Sequence, residues 1–175
     1  MFFDIHQLER RKIRFDEAFG PGSIDLLDRG LTQVGELHAA GAAELVDPSG
    51  AREIRIRGQI AGEMEVGCAR CLQPTRVPIS RAVDLFYRPM AAIAREEEMA
   101  INDAETEIAF YEGNGVELAD VVREQILVAL PIRNVCREDC QGICPSCGKN
   151  RNVEACRCRE DFSDPRWEAL RNWRQ

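Results

Sequence analysis

The sequence predicts an α+β protein: an antiparallel sheet, with the option of curling toward a barrel, packed by a helix and followed by a zinc-binding C-terminal tail. Three observations carry this prediction. Ile54, Ile56, Ile60, Met64 and Val66, and then Val77, Ile79, Val83, Leu85 and Tyr87, recur with a period of two, as half-buried strands require. Leu118, Val121, Val122, Ile126, Ala129 and Leu130 fall at helical spacing instead, and Pro131 ends the run. Six of the eight cysteines lie within the 23 residues from Cys136 to Cys158, and the other two form a pair far upstream, Cys68 and Cys71.

Taken in order, the chain opens with an alternation at Lys12-Ile13-Arg14-Phe15-Asp16 that suits a half-exposed strand, broken by Gly20-Pro21-Gly22. Val34–Leu37 and Ala43–Val46 read as strand, and Asp47-Pro48-Ser49-Gly50 as a tight turn, because proline sets φ and glycine tolerates the reversed sign. The segments flanking that turn form an antiparallel hairpin. Arg81 interrupts the apolar set of the next strand. From Met90 to Glu107 the pattern lapses into an acidic connector containing Arg95-Glu96-Glu97-Glu98, whose plain reading is solvated surface. Ile108 and Phe110 suit a short strand closed by Gly113-Asn114-Gly115, and the helix spans about residues 117–130, its stripe facing the sheet. Asp164-Pro165 opens a short terminal helix, with Asp as cap, Pro in the first turn, and Trp167, Leu170 and Trp173 as its apolar residues. This divides the chain into an α+β domain over residues 1–135 and a cysteine-rich tail over 136–175.

At 175 residues, 45% hydrophobic and 30% charged, the chain can bury a real core. Its net charge of −7 argues against indiscriminate nucleic-acid binding. The charge is uneven, with nine Lys/Arg against seven Asp/Glu over residues 131–175, which leaves −9 for residues 1–130. Neither a signal-peptide run nor a membrane span of about 20 apolar residues is evident, so a reducing cytoplasm is expected. There, cysteines serve as ligands more often than as disulfides.

The eight thiols divide into two sets of four. Cys144-Pro145-Ser146-Cys147-Gly148 has the spacing that aims two sulfurs at one ion, and Cys156-Arg157-Cys158 supplies the second pair after a loop long enough to fold back. The remainder is Cys68, Cys71, Cys136 and Cys140. The first two have knuckle spacing, and the last two share a face if their turn is helical. Zinc is the expected occupant, with iron as its rival. Four-sulfur sites leave no open position for water, so the role is structural. Each such site is worth about 10–16 kcal/mol in small peptides, comparable with the whole stability of a domain. Cys140, Cys144 and Cys147 also match the CxxxCxxC spacing of radical enzymes using S-adenosylmethionine, but only about 30 residues follow, too few for the barrel that chemistry needs.

Catalytic signals are absent. His6 and His38 stand in unrelated contexts, Glu96, Glu97 and Glu98 are a run rather than a spaced pair, and no nucleophile elbow or phosphate loop is found. No enzyme is expected. Candidate nucleic-acid contacts cluster around the thiols: Arg70, Arg76, Arg137, Lys149, Arg151 and Arg157, with Arg159 beyond them. Trp167 and Trp173 can stack on unpaired bases. The competing reading is that these arginines keep an acidic protein soluble and the tryptophans close a core.

Three stretches also carry a resemblance: GCARCLQP, ELADVVREQILVALP, and CREDCQGICPSCGKNRNVEACRC followed by DPRWEAL. In order and spacing, over roughly residues 60–170, they closely resemble the bacterial YceD-like family, the large ribosomal RNA subunit accumulation proteins. The resemblance implies a cytoplasmic factor in ribosome biogenesis. In its motif Cys68 and Cys71 fill the CxRC position, and Cys136 and Cys140 the position after the helix. The last four cysteines occupy a tail that some relatives lack, which fits a self-contained set. Arg151 departs from the aliphatic residue often found there. The expected partner is large-subunit rRNA or a ribosome precursor. The alternative is a protein–protein adaptor for a basic ribosomal protein or a processing nuclease, and a third reading, a redox sensor, needs an accessible thiol of low pKa.

Overall fold

The computed structural model describes residues 1–27, 30–46, 52–90 and 108–158. Its elements in chain order are β1 (Phe2–Asp4), α1 (Ile5–Leu8), β2 (Ile13–Phe19), β3 (Leu31–Val46), β4 (Glu53–Gly67), β5 (Pro74–Pro89), β6 (Ile108–Tyr111), β7 (Gly115–Glu117) and α2 (Leu118–Ala129). Strands β2 to β6 lie in sequence order in one five-stranded sheet. The first four form an antiparallel meander, and β6 joins β5 in parallel, so the sheet is mixed. Short strands β1 and β7 make a separate antiparallel pair.

The expected hairpin is present, with Val46 opposite Glu53 and Ala43 opposite Ile56. Its proposed turn at Asp47-Pro48-Ser49-Gly50 lies outside the described residues. So do the connector Arg95-Glu96-Glu97-Glu98 and the terminal helix from Asp164-Pro165 with Trp167, Leu170 and Trp173.

The option of a barrel is not realised. Among the described residues β2 and β6 are the sheet's two edges and do not pair with each other. Closure needs a last strand that completes the hydrogen-bonded circuit, whereas β6 is four residues long and parallel to its neighbour. The core is covered by other elements instead. Phe3 of β1 meets Phe15 of β2 with ring centroids 5.4 Å apart. Leu118, Val121, Val122 and Ile126 of α2 are buried in the same cluster as Ile54, Ile56, Ile60 and Met64 of β4. The period-two and helical stripes read from the sequence are therefore the two sides of one core.

Two local features shape the long strands. Between Val34 and His38 the register of β3 against β4 shifts, so that Gly35, Glu36 and Leu37 stand against Gly62. Gly35 takes a φ of +73°, open to glycine at no steric cost, and the bulge delivers Leu37 to the core fully buried. Further along, Gly41 faces Gly58 across the two strands. A Cβ on Gly41 would lie 2.2 Å from the Arg57 carbonyl oxygen and 2.9 Å from Cζ of Phe15, so the missing side chain lets backbone and ring close up. Arg81, the break in the apolar set of β5, reaches α2 instead: its Nε donates to Oε1 of buried Gln125 at 2.9 Å.

Candidate metal centre

The β4–β5 turn and the chain leaving α2 are stitched together. The Ala69 amide donates to the Asn134 carbonyl at 2.7 Å, and Asn134 Nδ2 donates to the Val66 carbonyl at 3.2 Å. This brings Cys68 and Cys71 to Cys136 and Cys140. The remaining four, Cys144, Cys147, Cys156 and Cys158, gather separately, and in each set the sulfurs all lie within 4.8 Å of one another. The four-plus-four partition read from spacing is the arrangement in space. One detail differs: Cys136 and Cys140 are joined by a non-helical turn closed by Cys140 N–H to the Arg137 carbonyl at 3.2 Å.

The two CxxC segments use one turn geometry. In the first, Cys68 N–H donates to the Gln73 carbonyl at 2.8 Å and Leu72 N–H to the Cys68 carbonyl at 2.9 Å. In the second, Cys144 N–H donates to the Lys149 carbonyl at 2.8 Å and Gly148 N–H to the Cys144 carbonyl at 2.9 Å. Ile143 and Asn150 bridge at the base of the second turn.

Whether these thiols suit an ion can be judged from their spacing and polar surroundings. Thiolate bonds of about 2.3 Å in a tetrahedron set sulfurs about 3.8 Å apart. Cys68 and Cys140 sulfurs are 3.9 Å apart, and those of Cys71 and Cys136 are 3.7 Å apart. Backbone amides of Arg70 and Cys136 both approach Cys68 Sγ at 3.4 Å. Amide donors at Cys136, Cys71 and Arg70 lower the Cys68 thiol to about 6. Those of Cys147 and Ser146 do the same for Cys144, also to about 6. The crowded partners move the other way. Desolvation and the neighbouring thiols push Cys136 up to about 12, and the Cys147 and Cys144 thiols push Cys158 up to about 12. Each cluster thus sets a thiol that ionises readily, Cys68 or Cys144, beside one held protonated, Cys136 or Cys158, the condition a bound cation relieves. Both sets fit a metal ion.

The two clusters differ in setting. Cys68, Cys71 and Cys140 are buried, whereas of the second set only Cys144 is buried and Cys147 and Cys158 are exposed. Gly142 enters between them with φ +72°. A Cβ there would lie 2.9 Å from the Arg70 carbonyl oxygen, which accepts from Ile143 N–H at 3.0 Å.

The candidate cations are mostly engaged. Arg70 Nη1 donates to the carbonyls of Glu138 at 3.0 Å and Cys140 at 2.9 Å, so this side chain holds the loop of the first cluster. Arg76 pairs with Glu63 at 3.4 Å, and Lys149 with Glu154 at 3.2 Å. Arg137 pairs with Asp139 at 3.3 Å and donates to Asn152 Oδ1 at 2.9 Å. Arg151 is half-buried and its amide donates to the Gly142 carbonyl at 2.9 Å. Arg157 is exposed between two clustered cysteines. Arg159, Trp167 and Trp173 lie outside the described residues. Asn152, Gly142 and Asn134 were missed from sequence; only the glycine midway between Cys140 and Cys144 carried a signal, and a lone asparagine in a loop carries none. No helix among the described residues is long and apolar enough to cross a membrane.

The family described as large ribosomal RNA subunit accumulation protein YceD matches residues 56–173, two thirds of the chain, from β4 through both thiol clusters. The chain belongs to this family. An uncharacterized protein of Mycobacterium bovis and uncharacterized proteins of two strains of Mycobacterium tuberculosis are each 31% identical to it over 118 residues, 67% of this chain. The chain spans about half the length of these curated relatives, 54% being covered. No solved structure matches it significantly.

Proposed function

We propose that this member of the YceD family is a non-catalytic factor in the accumulation of large-subunit ribosomal RNA, acting in the cytoplasm by docking on rRNA or a ribosome precursor. Zinc in the two thiol clusters orders the docking surface. The observation that carries the reading is the pair of four-sulfur clusters, in each of which all four sulfurs lie within 4.8 Å of one another, the first with two sulfur pairs at tetrahedral spacing. A filled site of this kind has no place for a reacting water; it fixes backbone, and here it fixes the backbone that carries Arg70, Arg137, Lys149, Arg151 and Arg157. On this reading residues 1–135 form the body and 136–175 the metal-bound tail, held to the body by Cys68 and Cys71.

A second reading, an adaptor for a basic ribosomal protein or a processing nuclease, is favoured by a specific observation. Arg76, Arg137 and Lys149 already face carboxylates, in a chain of net charge −7. Exposed pairs of this kind are worth little and can exchange a carboxylate for a phosphate at a cost of about 1 kcal/mol or less, so they do not decide against RNA. Co-sedimentation with large-subunit precursors discriminates. Direct RNA docking predicts binding that weakens steeply with salt, falls on Lys149→Gln plus Arg157→Gln, and disappears after nuclease treatment. Capture of the same protein partner after complete nuclease digestion would establish the adaptor instead.

A further inference from the structure

Asn152 lies in the loop between Cys147 and Cys156, so its position depends on the second thiol cluster, yet it bonds to the first. Its Nδ2 donates to Cys140 Sγ at 3.4 Å and to Asn150 Oδ1 at 2.7 Å. Its Oδ1 accepts from the Gln141 amide at 2.9 Å and from Arg137 Nη2 at 2.9 Å. Its own amide donates to Asn150 Oδ1 at 2.9 Å. The side chain therefore has both donor and acceptor ends engaged, and only one orientation of the amide satisfies them. Neighbouring contacts run the same way: Arg151 N–H reaches the Gly142 carbonyl, and Ile143 N–H reaches the Arg70 carbonyl beside Cys68.

We infer that Asn152 couples the two clusters into one cooperative metal unit, the second ion ordering the side chain that completes the surroundings of the first. The inference rests on the reading that both clusters hold metal. An N–H donor to a thiolate steadies its charge and its direction, and such partners of metal ligands typically change affinity by 10–100-fold. With the second site empty, closing the first must also order the loop that carries Asn152; with it filled, that order already exists. Linkage makes the effect mutual.

Cobalt(II) titration of the full chain tests this, following cobalt–thiolate absorption under chelator competition. Relative to the wild type, Cys156→Ser with Cys158→Ser weakens cobalt binding at the first site by about 10–100-fold. Asn152→Ala alone does the same, and combining the two changes weakens it no further. Asn152→Asp keeps both acceptor contacts of Oδ1 but loses both Nδ2 donors, to Cys140 Sγ and Asn150 Oδ1, and sets a carboxylate oxygen against the sulfur, so it weakens the first site at least as much as alanine does. When the first site is removed by Cys68→Ser with Cys71→Ser, Asn152→Ala weakens the second site's cobalt affinity less than it does with the first site intact, whereas a merely local role in the loop, through Asn150, would cost the same in both backgrounds. Unaltered first-site affinity after loss of the second site overturns the coupling, as do losses that multiply in the combined variant. A wild-type chain with no cobalt–thiolate absorption removes the metal reading itself and the coupling with it.

Discussion

Leu72 and Gly148 occupy the same place in two copies of one turn. Each follows the second cysteine of a CxxC segment, each donates its amide to the carbonyl of the first cysteine, and each has positive φ, +62° and +72°. Glycine adopts that conformation freely. Leucine does not, because its Cβ crowds the following carbonyl at roughly 1–2 kcal/mol. Leu72 is also 68% exposed, so burial does little to offset the strain.

Leu72→Gly is therefore expected to leave stability unchanged or raise it by up to about 1 kcal/mol, relief of strain being partly cancelled by glycine's freedom in the unfolded chain. Gly148→Ala, at an open position with nothing within 4 Å, costs about 1 kcal/mol from backbone conformation alone. Urea unfolding of the metal-loaded protein measures both. A large loss on Leu72→Gly would mean that the leucine side chain makes a contact outweighing its strain.

The Gly41–Gly58 pair makes a harsher prediction. A Cβ at Gly41 meets backbone at 2.2 Å, and one at Gly58 meets the Ala40 carbonyl at 2.4 Å, and neither neighbour is a side chain that can swing away. Either glycine to alanine should cost on the order of 3 kcal/mol or more, at the severe end for single substitutions. Circular dichroism and thermal unfolding report the loss, while Gly22→Ala, in open space at φ +82°, stays within about 1 kcal/mol.

Arg81 and Gln125 form a polar contact inside the sheet–helix interface. Arg81→Ala leaves a buried amide oxygen without its donor and is expected to destabilise by about 1–3 kcal/mol. Adding Gln125→Leu, which removes the orphaned group, should restore part of that loss. A double-mutant cycle reads the coupling directly, and additive effects would contradict the contact.

The Arg55–Asp84 pair sets an acid response. Hydrogen bonds from Arg55 Nε at 2.7 Å and Nη2 at 2.6 Å hold the Asp84 carboxyl below its ordinary value. A depressed carboxylate contributes stability above its unfolded pKa, about 3.9, and that contribution fades as pH falls through the lower folded value. Asp84→Asn should thus be slightly less stable than the native chain at neutral pH, and the gap should close on acidification below about pH 4. A gap that widens in acid would contradict the assignment.

Much of the fold was legible because burial on one face imposes a period. Ile54 to Val66 and Val77 to Tyr87 announced β4 and β5, and Leu118 to Leu130 announced α2, each held by many residues at once. The division of the cysteines was legible for a related reason, since two residues between ligands is a local geometric requirement. Features set by long-range closure were not. Three-residue strands β1 and β7 are too short to carry a pattern, and the register shift at Gly35–Leu37 exists only against Gly62. The openness of the sheet depends on β6 choosing a parallel partner. Arg70 illustrates the limit at the site: beside a cysteine it reads as a free cation, and only the fold reveals the Glu138 and Cys140 carbonyls that it clamps.

The most direct test of the whole account is a metal count on the purified, folded full chain, by elemental analysis alongside thiol titration. The account predicts two zinc ions per chain, eight thiols slow to react until a strong chelator is added, and loss of order around Cys136 to Cys158 when the metal is stripped. A chain that stays folded with no bound metal and eight freely reacting thiols would contradict it.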